Sequence, residues 1–470
     1  MELFAWQKEV REICKTRDSF ALFCDPGTGK SFATISILKD KLELDPTLKV
    51  LIFAPPVVCN NWKHELIKFY PEVDRSKILV ADAETRKKLP DLSKYQIIII
   101  NYQAFQCPKK SYANFFGKWY PNFLIIDESH MCKSYSAKRT KNIIEFCKYA
   151  KYRYILSGSP LLNNEMDVYS QFLLMNQGKT FGDNFFVFRA RYFYNVMEGR
   201  GVTFPKYVPI KSKMPELYEK IKENSYRITL KEVVDLPPLV ESTIKIPMHP
   251  SVRKVYNDLR DEFIAFIDDK AVVAQTAMTK ALRLMQVCTG HYVTDEKEVK
   301  TLNHNSKLEA LENFIQDNID IHKKIIIWCS FKHDYKIIGQ MLTENKIKHV
   351  FITGEQSTKE KEESVQAFQN GDAQVVVGNR KSGGVGINLV AAPCSIVFSK
   401  TFDLADEIQS SARNYRKGSE IHEKVLQYDL VYEDSIDEKI TLALALKGKM
   451  MHNLSASDIA SLIKTEGRSI

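Results

Sequence analysis

The sequence predicts an α/β protein with two parallel-sheet lobes in tandem and a helical insertion between them. Short apolar runs alternate with helical patterns over residues 1–163, which is typical of parallel strands joined by crossover helices. The pattern becomes aromatic, basic and helical over residues 164–240, and apolar runs alternate with helices again over residues 241–470. We therefore expect a first lobe, an insertion with its linker, and a second lobe in these three ranges.

The composition is that of a globular chain. Hydrophobic residues make up 44% of the 470 positions, and no apolar run approaches the length of a membrane span. The nine cysteines are scattered without a C-x-x-C pair, which argues against a zinc site and for free thiols in a reducing compartment. The net charge of +9 suits a polyanion partner. These features predict a soluble, intracellular protein that has no membrane partner. A cytoplasmic location in a prokaryotic cell or bacterial host and a monomeric state are further expectations.

A glycine-rich loop lies between an apolar run, residues 20–23, and a helical pattern. Residues 24–31 read Cys-Asp-Pro-Gly-Thr-Gly-Lys-Ser. Glycines let such a loop turn its N–H groups inward, and the helix N-terminus adds partial positive charge, so the loop can bind phosphates. A lysine here reaches the β- and γ-phosphates, and a serine hydroxyl binds Mg²⁺. The predicted ATP-binding residues are Gly27, Thr28, Gly29, Lys30 and Ser31, and Ser31 is also a predicted metal ligand.

Two alternatives stay open around this loop. Cys24 stands where such loops usually have their first glycine, and an ordinary strand–helix turn is the other interpretation of the loop. Gln7 lies at the start of an amphipathic helix, where its amide can offer adenine one donor and one acceptor. It can equally be a surface glutamine on a helix packed by Phe4 and Trp6.

Two carboxylates follow another apolar run. Residues 123–126 are Phe-Leu-Ile-Ile, and Asp127 and Glu128 come directly after them. Parallel sheets bind their ligands at the carboxyl ends of strands. We expect Asp127 to hold Mg²⁺ and Glu128 to orient or deprotonate the attacking water. A solvated acidic turn is the alternative.

Basic residues near aromatic ones occur twice in the first half of the chain. Trp62 shares a helical face with other apolar residues, so we expect it in the core and expect Lys63 to be freer to meet phosphate. Farther along, Arg189 and Arg191 lie among aromatic residues. That arrangement holds nucleic acid in some proteins and is a helical core with solvated arginines in others.

The predicted second lobe has no phosphate loop, but two of its segments carry chemical signals. Residues 382–389 form a glycine-rich turn. The spacing of Arg413 and Arg416 predicts that they lie one helical turn apart on one face, where they can serve a γ-phosphate as arginine fingers. A surface basic helix is the alternative.

The order of these motifs resembles the Swi/Snf-type ATPases of helicase superfamily two over almost the whole chain. The matching segments are residues 27–31, 50–55 with 61–65, 127–130, 156–160 with 163–164, 236–238, 305–311, 383–389, and Gln409 with Arg413 and Arg416. The resemblance implies two RecA-like lobes that close on ATP and move along DNA. The catalytic residues it implies are Lys30, Asp127, Glu128, Gln409, Arg413 and Arg416, and Gly386 is an implied nucleotide contact. The sequence departs from the family pattern at residues 403–405 and at Tyr415.

The resemblance also implies where nucleic acid binds. Residues on motifs that touch the DNA backbone are Lys63, Asn101, Ser330, Lys332 and Arg380, beside Arg189 and Arg191 of the insertion. The chain has little beyond the motor motifs, which favours a compact bacterial or phage form similar to phage branch-migration helicases. We therefore expect an ATP- and Mg²⁺-dependent motor that unwinds forks or moves junctions in DNA replication, repair or recombination.

Three other functions remain open at this point. A plain duplex-DNA translocase that displaces bound proteins fits the same motifs. An RNA helicase fits less well, because residues 157–160 read Ser-Gly-Ser-Pro where those enzymes have serine-alanine-threonine. A nucleotide-gated binding module without catalysis is disfavoured, since Lys30, Asp127 and Glu128 are all present.

Overall fold

The computed structural model divides the chain into two compact units, Met1–Val234 and Asp235–Ile470. The described residues are 2–106, 108–158, 165–196, 207–233, 235–268, 274–294, 298–380, 387–402 and 404–450.

The first unit contains nine strands and ten α-helices in its described part. Its strands are β1 (Ser19–Cys24), β2 (Val50–Ala54), β3 (Ile78–Ala81), β4 (Ile97–Asn101), β5 (Phe123–Asp127), β6 (Tyr152–Leu156), β7 (Phe193–Asn195), β8 (Tyr207–Pro209) and β9 (Ser225–Ile228). Its helices are α1 (Ala5–Lys15), α2 (Lys30–Leu44), α3 (Cys59–Phe69), α4 (Ala83–Lys88), α5 (Lys109–Phe116), α6 (Lys138–Phe146), α7 (Val168–Asn176), α8 (Phe185–Tyr192), α9 (Met214–Glu223) and α10 (Leu230–Val233).

Seven of these strands form one parallel sheet in the order β3-β4-β2-β5-β6-β1-β9. The central strands β2, β5 and β6 are buried along their whole lengths, and β1 along all but its first residue. Helices cover both faces of such a sheet, so its strands appear in the sequence as continuous apolar runs. All the carboxyl ends lie at the same edge of the sheet.

Part of the segment predicted as a helical insertion belongs to this sheet. The segment contains α7 to α10, but it also contains the antiparallel pair β7–β8 and the edge strand β9. Strand β9 pairs with β1 up to Cys24↔Ile228. Residues 225–228 are Ser-Tyr-Arg-Ile, a short half-polar stretch without the apolar run that marks the central strands. Its strand conformation therefore depends on β1 rather than on local sequence.

The second unit has eight strands and seven α-helices in its described part. Its strands are β10 (Leu239–Ile246), β11 (His291–Val293), β12 (Val299–Thr301), β13 (Ile325–Cys329), β14 (His349–Ile352), β15 (Val375–Asn379), β16 (Cys394–Val397) and β17 (Val425–Tyr432). Its helices are α11 (Pro250–Asp268), α12 (Ala274–Val287), α13 (Ser306–His322), α14 (Lys332–Glu344), α15 (Thr358–Gln369), α16 (Leu404–Ser411) and α17 (Ile436–Met450).

Six strands of this unit form a second parallel sheet in the order β10-β17-β16-β13-β15-β14. Strand β13 shows how the core is built on both faces. Ile325 and Ile327 pack into one apolar cluster, and Ile326 and Trp328 pack into another. Two parallel sheets with helices confirm the predicted fold class. No helix in the described ranges has both the length and the apolarity needed to cross a membrane.

Candidate functional site

Three neighbouring strands of the first sheet bring the chemical motifs together. Strand β1 leads into the phosphate loop, β5 ends at Asp127, and β6 leads into Ser157. Because β5, β6 and β1 are consecutive in the sheet, their carboxyl ends meet at one place. Gly158 confirms the close approach, since a Cβ added there would lie 2.9 Å from Cδ of Pro26 in the phosphate loop.

The phosphate loop has the backbone that its glycines permit. Gly27 and Gly29 have φ values of 87° and 91°, in the left-handed region that favours glycine. Helix α2 begins at Lys30, so its N-terminal N–H groups face the loop. The Lys30 ammonium donates to the carbonyl oxygens of Cys24, at 2.6 Å, and Asp25, at 3.2 Å. The Lys30 side chain is therefore held over the loop by backbone carbonyl oxygens of the loop itself.

Gln7 is buried and tied to the same loop. Its Nε2 donates to the Gly29 carbonyl at 3.0 Å, and its Oε1 accepts from the Phe4 N–H at 2.8 Å. The interpretation of Gln7 as a surface glutamine is therefore wrong. The amide bridges the start of α1 and the turn at Gly29, which places Gln7 beside the phosphate loop.

Asp127 is a buried carboxylate held by donors from other elements. Its Oδ2 accepts from the Trp62 indole N–H at 2.8 Å, and the Tyr102 hydroxyl donates to its backbone carbonyl. Burial, and next the charge of Glu128, raises the pKa of Asp127 to about 7, while Trp62 and Lys30 act in the opposite direction. The charge of Lys30 thus acts on Asp127, which ties the phosphate loop to the acidic pair.

Glu128 follows in a left-handed conformation, with φ of 53° and ψ of 52°. Its Oε2 lies 3.3 Å from Nδ1 of His130. The same nitrogen lies 3.2 Å from the hydroxyl oxygen of buried Ser157, whose N–H donates to the Leu22 carbonyl. Glu128 is therefore connected through His130 to the end of β6.

The donor set fits a magnesium ion held together with a phosphate ligand. Two adjacent carboxylates, one of them buried with a raised pKa, form a centre of negative charge that a cation would relieve. Ser31 stands in the first turn of α2, which follows β1, and Asp127 ends β5 at the same edge of the sheet. Within the described ranges no three histidine, cysteine or acidic side chains gather as a metal cage. Mg²⁺ commonly binds through one or two carboxylates plus phosphate, so the carboxylate of Asp127 is a fitting type of ligand.

In the second unit Arg413 and Arg416 converge on one carbonyl. Their Nη1 atoms lie 3.3 Å and 3.4 Å from the oxygen of Ile387. The prediction that they share a helix is wrong, because α16 ends at Ser411. Buried Asn414 donates to the Ala392 carbonyl, so the chain after α16 follows the preceding loop instead of continuing the helix.

Two other predicted nucleotide-site residues belong to this part of the chain. Gln409 lies in α16, two residues before its last one. Gly386 lies outside the described residues.

The structure corrects one predicted DNA contact. Arg380, directly after β15, is buried, and its Nη2 lies 2.8 Å from Oε2 of Glu407 in α16. Its Nε donates to the Ser410 hydroxyl at 3.1 Å. Burial raises the pKa of Glu407, but Arg380 and then Lys400 hold it below its ordinary value. Arg380 is therefore used to attach α16 to the sheet and does not offer its guanidinium to a backbone phosphate.

Ser330 and Lys332 line a cleft of ≈ 370 Å³ at the carboxyl edge of the second sheet. The Ser330 hydroxyl donates to the Ser399 carbonyl at 3.0 Å. Nζ of the exposed Lys332 lies 2.5 Å from Oε1 of Glu355, which is exposed too. Exposed pairs of this kind are weak and separate easily. The Lys332 ammonium is thus accessible to an anion.

The predicted DNA contacts of the first unit lie on different elements. Lys63 is half-buried on α3. Asn101 ends β4, and its Oδ1 accepts from the Ala104 N–H at 3.3 Å. On α8, the Arg189 guanidinium carbon lies 4.0 Å from the Tyr207 ring centroid, and Arg191 pairs with Glu216 at 2.6 Å. Both arginines thus have partners within the first unit.

Two residues hold the acidic pair in a way that the sequence did not predict. Trp62 is in the core as expected, yet its indole N–H also binds Asp127. Tyr102 is fully buried, with its hydroxyl on the Asp127 carbonyl. The sequence could have indicated only that a buried indole or phenol needs a hydrogen-bond partner. Which partner each one takes depends on the tertiary fold.

Fold and site together define a protein of the helicase class, with a phosphate loop and an acidic pair on the first of two parallel sheets. The chain belongs to the SNF2-related domain family, which it matches over residues 10–305. It also matches the helicase conserved C-terminal domain over residues 306–418.

Similar proteins share this core at low identity. A Mycoplasma pneumoniae protein named "Uncharacterized ATP-dependent helicase" is 25% identical over 96% of this chain and 42% of its own length. The CHD3-type chromatin-remodeling factor CHR7 of Arabidopsis thaliana is 22% identical over 93% of this chain and 35% of its own length. The chain thus spans less than half the length of these relatives. A solved structure titled "Sulfolobus solfataricus SWI2/SNF2 ATPase core in complex with dsDNA" is 23% identical, with a TM-score of 0.45, and covers 99% of this chain and 95% of that one.

Proposed function

We propose that this chain is an ATP-hydrolysing motor that moves along DNA and remodels forks or junctions. The observation that carries the ATPase part is the meeting of the phosphate loop and the acidic pair at the ends of neighbouring strands. The charge of Lys30 acts on Asp127, and Glu128 is held by His130. A phosphate-binding cation and a water-activating carboxylate side by side are the parts that NTP hydrolysis needs.

Each proposed ATP-site residue of the first unit has one role. The N–H groups of residues 27–29 and the Lys30 ammonium bind the phosphates. Ser31 and Asp127 hold Mg²⁺, which neutralises phosphate charge when bound. Glu128 orients the attacking water and accepts its proton. Gln7 keeps the turn at Gly29 in place.

Arg413 and Arg416 complete the proposed chemistry from the second unit. An arginine that meets the γ-phosphate stabilises the charge that develops in the transition state. The shared carbonyl at Ile387 keeps both guanidiniums together. Gln409, on the helix just before them, is proposed to act with them.

The proposed polymer is DNA, and the proposed preferred form is branched. The net charge of +9 favours a polyanion, and exposed Lys332 with half-buried Lys63 are proposed backbone contacts. On α8, Phe186 and Val187 are more than half exposed beside Arg189. Aromatic rings next to arginine stack on unpaired bases, which occur at a fork. We therefore propose α8 as the element that meets the branch point.

The test is ATP turnover with no polymer, RNA, single-stranded DNA, linear duplex and a fork of equal length. We expect strong stimulation by DNA, the strongest by the fork, and strand movement only with hydrolysable ATP. Charge reversal of Arg189 should reduce fork processing more than turnover on linear duplex. Reversal of Lys346, a charged residue of the second unit, is the control.

Other outcomes separate the competing functions. Equal turnover on fork and linear duplex, without strand movement, would leave a plain duplex translocase. Stimulation by RNA alone would indicate an RNA helicase. No turnover with any polymer would overturn the motor and leave a nucleotide-gated binding module.

A further inference from the structure

Helix α7 lies against the segment that carries the acidic pair and bonds to it with two polar side chains. Gln171 Oε1 accepts from the hydroxyl of Ser129, the residue after Glu128, at 2.7 Å. Ser170 donates to the Lys133 carbonyl at 3.1 Å. Ser129, Gln171 and Ser170 are all fully buried. Hydrogen bonds between buried side chains hold their partners in one geometry, since water cannot replace them.

The residue next to this bond has an unfavourable backbone. Glu128 is a non-glycine residue in the left-handed region, an unfavourable conformation that persists only where the surroundings enforce it. Its own N–H donates to Asp127 Oδ1, and its carbonyl accepts from the Met131 N–H, so these bonds lie within the segment. The bond from Gln171 to Ser129 comes from a separate helix. It therefore fixes the segment relative to the rest of the unit.

Gln171 is itself immobilised. Its Nε2 donates to the Asp167 carbonyl at 2.9 Å, so both ends of the amide are engaged. Two residues earlier, the ring of Tyr169 contacts Phe185 and Phe188 of α8, with centroids 5.3 Å and 4.9 Å away. Helix α7 is thus held on its other side by an aromatic cluster. Rigid support of this kind is what a precisely placed reacting group requires.

We infer that Gln171 is a positioning residue for Glu128: through Ser129 it keeps the carboxylate where the attacking water must be met. This inference rests on the proposed ATP hydrolysis at Glu128. It implies that Gln171 affects turnover and leaves ATP binding largely unchanged, because the phosphate loop holds the ground state and Glu128 acts only in the transition state. A displacement of about 1 Å at a reacting group can cost roughly 10²-fold in rate.

The experiment compares ATP turnover and KM in full-length variants with forked DNA. Q171M keeps the length of the side chain and removes both hydrogen bonds, so we expect kcat to fall about tenfold or more with KM for ATP within about twofold. S170A is the matched control on the same helix, since it removes a buried bond to Lys133 and should leave kcat within about twofold. A kcat of Q171M equal to that of the unaltered chain would overturn the inference.

A double variant separates positioning from mere stability. S129A/Q171M removes both partners of the buried bond, which should restore much of the thermal stability lost in either single variant. We expect its kcat to stay low, because the bond that holds the residue next to Glu128 to α7 is still absent, even though the bond from Ser170 to Lys133 remains. Recovery of kcat together with stability would show a structural role only and overturn the positioning role. Absence of turnover in the unaltered chain would instead overturn the proposed function itself.

Discussion

At the scale of single residues, the site depends on buried hydrogen bonds that reach Asp127 from elsewhere in the fold. The Trp62 indole donates to its carboxylate from α3, and Tyr102 donates to its carbonyl from the turn after β4. A carboxylate that is buried beside another one needs such donors to stay ionised. Ionised Asp127 is the form that binds a cation.

We expect W62F to weaken magnesium binding at the proposed site without leaving a cavity in the core. Phenylalanine keeps an aromatic ring in the pocket but removes the donor, and a hydrogen bond to a charged group is worth about 1.5–3 kcal/mol. The Mg²⁺ concentration for half-maximal ATPase should rise about tenfold. A magnesium titration of turnover measures it, with W119F, whose indole donates to the Tyr95 carbonyl, as the control. An unchanged magnesium requirement would show that Trp62 serves packing alone.

We expect substitutions of the two charged groups proposed to act on ATP, Lys30 and Glu128, to impair different steps. Lys30 is predicted to contact the phosphates of bound ATP, so K30A should lose ATP binding. Glu128 is predicted to act on the water, so E128Q should bind ATP normally and lose roughly 10²–10⁴-fold in turnover. Fluorescent-nucleotide binding and steady-state ATPase distinguish the two effects. Turnover near normal in E128Q would remove Glu128 from the mechanism.

The local sequence was sufficient to propose Lys30, Asp127 and Glu128 as candidates, and the structure places them at the same edge of the first sheet. Each one stands at a fixed offset from an apolar run, and the chemistry follows from residue types at that spacing. Arg380 and Gln171 could not be placed in this way. Their roles depend on Glu407 and Ser129, partners that only the tertiary structure brings near.

At the scale of elements, a buried ion pair joins two helices of the second unit. Lys307, at the start of α13, is fully buried against Asp437, at the start of α17. Asp437 also accepts from the Tyr432 N–H at 3.2 Å, and Tyr432 accepts from the Lys307 N–H at 3.0 Å. The pair therefore ties both helices to the end of β17.

Removing one member of this pair should destabilise the second unit strongly. K307M leaves Asp437 buried without its counter-charge, which costs about 3–5 kcal/mol. K307M/D437N keeps an acceptor for Tyr432 without the charge and should recover most of the loss. The free energy of unfolding of each variant is measured in urea, with hydrogen exchange of the α13 amides as the readout. K348M, which breaks the exposed pair with Asp372, should cost at most about 1 kcal/mol.

Equal losses in K307M and the double variant would contradict the electrostatic explanation for this pair. In that outcome the lysine stem, rather than its charge, would carry the stability.

The sheets differ in how far their elements follow from sequence. Central strands such as β5 and β13 are buried throughout and apolar except for Asp127 at the end of β5, and the sequence predicts them directly. The edge strands β9 and β10 are mostly half-buried or exposed, so they lack that pattern. Strand β17 is buried at its ends and half-buried between them, and it too escaped prediction. These segments form strands because they pair with neighbouring strands, and the local sequence does not encode that pairing.

At the scale of the whole molecule, the two compact units divide the proposed ATPase parts between them. The phosphate loop and acidic pair belong to the first unit, and Arg413 and Arg416 belong to the second. A fragment of residues 1–233 contains every strand of the first sheet. We expect it to fold and bind ATP but to hydrolyse it about 10³-fold or more slowly than the full chain with DNA, because it lacks the arginines.

Measured kcat for the fragment and for full-length R413A and R416A checks this division. The two variants should lose DNA-stimulated turnover with little change in ATP affinity. A fragment that hydrolyses ATP as fast as the full chain would show that the second unit contributes nothing to the chemistry.

The position of β1 between β6 and β9 has a consequence for the chain as it leaves the ribosome. Strand β1 emerges early, yet its two neighbours begin only at Tyr152 and Ser225. At roughly 5–20 residues per second, the second neighbour arrives roughly 10–40 s later. Both hydrogen-bonding edges of this apolar strand stay open until β6 emerges, and one edge stays open until β9 emerges. An open edge of this kind is a template for pairing with other chains. We therefore expect the strand that leads into the phosphate loop to be the part of the nascent first unit that most needs protection by a chaperone.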